Sequence, residues 1–216
     1  MASDTTEQVK RPRGRPKGFD RATALREATK LFWERGYEGT SFDDLIGAMG
    51  ISPSSFYSTF GSKAGLYKEA AREFMAQAST WFTRELASAT DTRTAFHGLL
   101  TAAAREMTTT GQPAGCMISL ACAHAPPALT PLSEMMARYR RTAQEAMAER
   151  IRRGIADGDV PADTHPEALA AFYSTLLRGM AVQARDGAGQ DRLVEIVDVA
   201  MHAWPADRGI AAPATP

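Results

Sequence analysis

Five cations and no anion lie between Lys10 and Gly18, in the run Lys10-Arg11-Pro12-Arg13-Gly14-Arg15-Pro16-Lys17. Such a concentration attracts polyanions whatever the charge of the whole chain. The prolines hold the segment extended, Gly14 removes bulk, and the guanidinium groups of Arg13 and Arg15 suit a narrow, A·T-rich minor groove with its enhanced negative potential. A second run, Ser52-Pro53-Ser54-Ser55-Phe56-Tyr57-Ser58, offers small hydroxyls for base edges and phosphates, and the Tyr57 phenol can donate to a phosphate oxygen. Lys63 adds a cation at a helix start, where free N–H groups already favour phosphate.

Groups suited to covalent chemistry are few. The sequence holds no G-x-S-x-G, no phosphate-binding glycine loop and no H-E-x-x-H, so no enzyme is expected. Asp43 and Asp44 stand together behind Ser41, where orphan helix N–H groups need acceptors, which makes them caps and not an acid–base pair. Cys116 follows Gly115 at the start of a short helix, where free N–H groups favour a thiolate. A redox or electrophile sensor and an inert buried thiol both fit it. Cys122 lies six residues on, about 120° round the same helix line, with His124 two further. His97, His165 and His202 are isolated, so neither a metal nor a cofactor is expected.

The chain has 216 residues, with 25 Lys and Arg against 25 Asp and Glu, 44% hydrophobic and 23% charged residues. That composition belongs to a soluble globular protein, not to a disordered or collagen-like chain. No apolar run approaches the length of a membrane span, and the first 18 residues lack the apolar core of a secretory signal, so a cytoplasmic protein without a membrane partner is expected. The neutral total hides an asymmetry. Residues 1–72 carry 12 basic and 9 acidic side chains, residues 73–216 carry 13 and 16.

Apolar residues recur at helical spacing almost everywhere, which predicts an all-α chain of about nine helices. Asp20 caps a first helix that stops at Gly36. Ser41 with Asp44 forms a capping box for a second, of about eight residues, ending at Gly50. Ser52 caps a third with Pro53 at its first position, closed by Gly61. A long fourth follows Ser62 to just before Ser88. Beyond it come helices around Phe96 to Met107, Cys116 to Ala123, Thr130 to Ala156, Leu169 to Met180 and Leu193 to Trp204. Two short helices joined across Met49-Gly50-Ile51-Ser52 are the helix-turn-helix arrangement, whose second helix enters the major groove.

The stretch Ala28-x-x-Leu31-Phe32-x-x-x-Gly36-Tyr37-x-x-Thr40-Ser41, then Leu45, Gly50-Ile51-Ser52, Phe56-Tyr57, Phe60 and Lys63-x-x-Leu66, resembles the TetR family of bacterial one-component regulators. The likeness runs over nearly the whole chain and is most specific from Phe19 to Tyr67. It implies a DNA-reading third helix, with contacts at Thr40, Ser41, Ser52, Ser54, Ser55, Tyr57 and Lys63; Ser58 faces outward beside them. The family often has His or Tyr before the closing Phe, where this chain has Thr59. The arm itself resembles an AT-hook, joined directly to the helix-turn-helix.

The expected organisation is a basic arm over 1–18, the helix-turn-helix domain over 19–66, an effector-binding and dimerisation domain over 67–204 and a disordered tail over 205–216. The resemblance implies a pocket between the middle helices and a two-fold pairing of the last two. Aromatic and methionine stripes nominate Phe74, Trp81, Phe96, Leu100, Met107, Met117, Met136, Tyr139, Phe172 and Tyr173, with Cys116, for that pocket, and a small, mostly apolar effector. The last helices are apolar beyond what one core face requires, which nominates Leu177, Met180, Ala181, Val197, Ala200 and Trp204 for a homodimer interface. The expected protein is a homodimeric repressor on a pseudo-palindromic double-stranded operator. The rivals are an architectural protein for A·T-rich DNA, in which the arm dominates, and a helical small-molecule carrier or enzyme.

Overall fold

The computed structural model describes residues 19–88, 91–121 and 129–205. The arm with Arg13 and Arg15, the residues Cys122 and His124, and 206–216 of the expected tail lie outside the described residues. Among those described the protein is all helical: α1 Arg21–Arg35, α2 Phe42–Met49, α3 Pro53–Phe60, α4 Lys63–Ser88, α5 Thr92–Met107, α6 Met117–Leu120, α7 Thr130–Asp157, α8 Pro166–Arg185 and α9 Gln190–Ala200. A 3-10 turn, Met201–Ala203, follows. No helix among the described residues is long and apolar enough to cross a membrane.

Local chemistry sets the first three helices. The Asp20 carboxylate accepts from the Ala22 N–H at 3.0 Å. Ser41 and Asp44 close a reciprocal box, with the Asp44 N–H on the Ser41 hydroxyl and the Ser41 N–H on the Asp44 carboxylate, both at 3.0 Å. Ser52 accepts from the Ser55 N–H at 3.2 Å, and Pro53 occupies the first position, where no N–H is needed. Between α2 and α3 the chain reverses through Gly50, whose φ of 64° and ψ of 34° lie in the left-handed region that a Cβ disfavours.

Three capping carboxylates are held below the usual Asp value of 3.8: Asp20 by the Thr23 hydroxyl, Asp44 by the Ser41 hydroxyl and Asp91 by the Thr94 backbone N–H. A depressed folded-state value means stability that is present above the unfolded pKa and is lost as pH falls through the folded one. The expected result is a melting temperature that drops as pH goes below about 4, with a shallower drop for Asp44→Asn, measured by circular dichroism. Asp20 is exposed and Asp44 and Asp91 are only half-buried, so each effect is small.

Two cores form. Beneath the helix-turn-helix lie Phe32, Leu45, Phe56, Phe60, Leu66 and Tyr67, and the same cluster continues into α6 and the start of α7 through Met117, Ile118, Leu132, Met135 and Met136. The body packs Phe96, Leu99, Leu100, Met147, Ile151, Tyr173, Leu193 and Val197. The chain is already extended at Ala121, so α6 falls short of the expected Ala123. Arg140 there donates to the carbonyls of Ile118 at 2.8 Å and Ala121 at 3.3 Å, acceptors that a longer helix would have satisfied internally. The last helix likewise ends at Ala200, before Trp204, whose ring packs 5.1 Å from Phe96 and 5.6 Å from Tyr173.

Two arginines tie the long elements together. Arg150, buried in α7, donates through Nε to the Leu86 carbonyl at 3.1 Å and through Nη1 to the Thr92 hydroxyl. Thr92 in turn gives its N–H and hydroxyl to the Asp159 carboxylate, each at 2.8 Å. The end of α4, the start of α5 and the turn after α7 are thereby one polar unit. At the other end of the molecule Arg185, closing α8, donates to the carbonyls of Glu34 at 2.5 Å and Trp33 at 2.6 Å in α1. A guanidinium is well matched to the negative end of a helix and to its orphan carbonyls.

Candidate functional site

The exposed face of α3 carries the hydroxyls that the sequence singles out. The Ser52 hydroxyl lies 3.0 Å from those of both Ser54 and Ser55, and Ser58 donates to the Ser55 carbonyl at 3.0 Å. These bonds leave each oxygen further acceptor capacity toward solvent. Ser52, Ser54 and Ser58 are exposed and Ser55 is half-buried. Tyr57 is 56% exposed, although it is a large aromatic residue. Its ring is stacked on Phe42, with centroids 5.2 Å apart and planes at 20°, so the phenol is presented outward on a rigid base.

Lys63 begins α4 at the edge of this face. Its ammonium sits 4.3 Å from the centroid of the Tyr37 ring, a cation–π contact, and partial burial pushes its pKa down. Ser62 caps the helix by accepting the Gly65 N–H at 3.0 Å. Ser41 is exposed as well, although its hydroxyl is committed to the capping box. Thr40 departs from expectation: it is fully buried, and its hydroxyl donates to the Gly36 carbonyl at 2.7 Å. It braces the turn before α2 and presents nothing to a ligand. Phe42 and Tyr37 position Tyr57 and Lys63, roles that come from contacts between helices and that spacing along the chain does not record.

A second feature lies between α4, α6, α7 and α8. A cavity of about 200 Å³ is bounded by Phe74, Trp81, Phe82, Met107, Cys116, Tyr139 and Met147, with Leu177 from α8. A neighbouring cavity of about 340 Å³ lies toward α1 and shares the wall formed by Phe74, Ala78, Trp81, Met107 and Cys116, with Trp33, Gln77 and Glu106 on its far side. The Cys116 thiol is free and half-buried. Gly115 before it has φ of 82°, and a Cβ there would stand 2.6 Å from the Ala181 carbonyl, so only glycine lets this turn lie against α8. The four-residue α6 is too short to build the macrodipole expected to act on the thiol.

Of the expected pocket residues, Phe74, Trp81, Met107, Cys116 and Tyr139 line these cavities. Six do not. Met117 and Met136 fill the core shared with the helix-turn-helix, and Phe96, Leu100 and Tyr173 fill that of the body. Burial pushes the Tyr173 phenol up to about 12, and its hydroxyl lies 3.4 Å from the Ala200 carbonyl. Phe172, 44% exposed, borders an open cleft of about 580 Å³ beside His165 and Trp204.

The nominated interface is also redistributed. Met180, Ala181, Val197 and Trp204 are buried in the chain's own core, Leu177 lines the cavity and Ala200 is half-buried against that core. The large apolar side chains that α8 and α9 leave exposed are Phe172, Val182 and Val199, the last at 71%. Among the described residues no group of three or more His, Cys, Asp and Glu side chains is placed to hold a metal ion.

Residues 24–70 match the model of the family described as bacterial regulatory proteins, tetR family. The chain is 32% identical over 210 residues to the HTH-type transcriptional repressor ComR of Escherichia coli (strain K12), covering 95% of this chain and 98% of that one. It is 27% identical to the HTH-type transcriptional repressor BdcR of the same organism, over 87% of this chain and 90% of that one. Among solved structures, a cysteine mutant of the TetR family transcriptional regulator CifR complexed with 26 bp double-strand operator DNA superposes with a TM-score of 0.85. That pair is 41% identical over 89% of this chain and 100% of the other.

Proposed function

The chain belongs to the TetR family of bacterial regulatory proteins, and we propose from that premise that it is a homodimeric transcriptional repressor, released from its operator by a small effector. The observation that carries this reading is the exposed hydroxyl face of α3, backed by the Phe42–Tyr57 stack and flanked by Lys63. The family is one of regulators and not of enzymes. Ser41, Ser52, Ser54, Ser55, Tyr57, Ser58 and Lys63 are the contacts, and Arg13 and Arg15 reach from the arm into the adjacent minor groove. The helix-turn-helix unit over 19–66 is carried on the body over 67–204.

Pairing of two copies through the outer sides of α8 and α9, at Phe172, Val182 and Val199, takes apolar surface out of water and sets two α3 helices on successive major grooves. The effector enters the cavity beside α4, whose other end supports α3. Linkage then requires a ligand that favours the wrong head spacing to weaken DNA binding by the same factor that DNA weakens ligand binding.

Fluorescence anisotropy against the chain's own upstream DNA and a scrambled duplex, at two salt concentrations and with stoichiometry, tests the proposal. Two chains per site and a preference of about a hundredfold or more are expected. Salt-sensitive binding without preference would favour an architectural role instead. In the same assay Lys63→Ala lowers the salt slope by about one unit with no change in sequence preference. An unchanged slope would remove Lys63 from the contacts.

A further inference from the structure

The charges around the inner cavity are one-sided. Its lining includes Arg140 and Arg178 but no Asp, Glu or Lys among the described residues. Arg140 is already engaged with the carbonyls of Ile118 and Ala121. Arg178 is not: its Nη2 donates to the Thr175 hydroxyl at 3.2 Å, and no carboxylate among the described residues pairs with it. The hydroxyls of Ser119 and Ser174 add donors to the same lining, while Ser79 gives its hydrogen to the Ala76 carbonyl at 3.1 Å. Across the shared wall the outer cavity has the opposite character, with Glu106 and no Lys or Arg. A negative group is therefore drawn to the Arg178 side, whereas Glu106 across the wall already has the Arg105 guanidinium 3.7 Å away.

Size narrows the occupant further. An apolar protein cavity of about 150 Å³ holds benzene, so about 200 Å³ holds one ring with one small substituent, or a short acyl chain of like volume. Phe74, Trp81, Phe82 and Tyr139 supply flat aromatic faces for such a body.

We propose that the effector is a small anionic amphipath, a single-ring or short-chain carboxylate, whose apolar body fills the cavity and whose carboxylate is held by Arg178. A guanidinium presents paired N–H donors that match a carboxylate, and its charge-assisted bonds are about twice as strong as neutral ones. This rests on the effector reading above and makes it chemically specific: the isosteric alcohol or amide leaves the guanidinium without its counter-charge.

The test is isothermal titration of the full chain with benzoate, benzyl alcohol and benzamide as probes, repeated on Arg178→Met and Arg178→Lys. Benzoate is expected to bind once per chain, about tenfold or more tighter than either neutral probe. Arg178→Met should bring the three probes to equal affinity, while Arg178→Lys keeps a preference for benzoate. Arg178→Gln serves the same purpose if Arg178→Met fails to fold. Equal binding of all three probes to the unaltered protein would overturn the anionic class and leave the cavity as the effector site. A benzoate preference that survives Arg178→Met would overturn the assignment of Arg178. Binding of none of the three by protein that still binds its operator would overturn this proposal and the cavity reading together.

Discussion

Ser54→Glu is expected to abolish operator recognition, with a loss of about a hundredfold or more, and to leave the unfolding temperature unchanged. Ser54 is the second residue of α3 and is exposed. A carboxylate there lies near the positive end of the helix, which favours it, so the fold has no reason to suffer. Among the described residues the internal bond at stake is the weak Ser52–Ser54 hydroxyl pair at 3.0 Å. Against DNA the same carboxylate meets phosphates and base acceptors at close range and must shed water without gaining a partner. Ser54→Ala is the control, costing only the hydroxyl's own bonds and therefore a few-fold. Higher salt should narrow the gap between Ser54→Glu and the parent, because screening acts on the repulsion as well as on the attraction. Unimpaired binding by Ser54→Glu would place the start of α3 outside the groove.

Arg150→Ala should produce the largest loss of stability, roughly 3 kcal/mol by urea denaturation and a melting temperature lower by roughly 10 °C. Arg150 is 5% exposed, yet its side chain serves the Leu86 carbonyl and the Thr92 hydroxyl at once. Its removal orphans a buried carbonyl and loosens Thr92, and it also takes away a cation that acts on a helix start already holding Asp91 and Asp159. Arg150→Met, which keeps most of the volume, separates packing from hydrogen bonding. It should recover only the packing share. A loss below about 1 kcal/mol for Arg150→Ala would mean that the end of α4 needs no such anchor.

The parts of the fold that were legible in sequence are those whose causes are local. Asp20, Ser41, Ser52, Pro53 and Gly50 act within three or four residues, so caps, a turn and the helix-turn-helix followed from spacing alone. The likeness to known regulators reinforced that reading over the same stretch. A helical apolar stripe, by contrast, says that a side chain is covered but not by what. Phe96 and Tyr173 carry the same periodic signal as Trp81 and Tyr139, yet they meet Trp204 and close up, while the latter pair face empty space. The same ambiguity affects the nominated pairing residues: Met180 and Val197 are apolar enough to suit an interface, and for the same reason they pack into the chain's own core. Thr40 shows the converse, a polar residue whose hydroxyl finds a backbone partner four residues away and is withdrawn from the surface. Arg150 and Arg185 act across 64 and more than 150 residues of chain, and no periodicity records such pairings.

The grip of Arg185 on the carbonyls of Trp33 and Glu34 bears on how such proteins can be recombined. Residues 19–66 look like a cassette in sequence, but the end of α1 is finished by a side chain that comes more than 150 residues later, and the head shares its core with α6 and α7. A chimaera that grafts a foreign head onto this body inherits an arginine matched to someone else's helix end, and a foreign body leaves this head with bare carbonyls. Modular sensors built from this chain therefore have to be cut so that α1 travels together with the closing turn of α8, which makes the natural unit of exchange a discontinuous one.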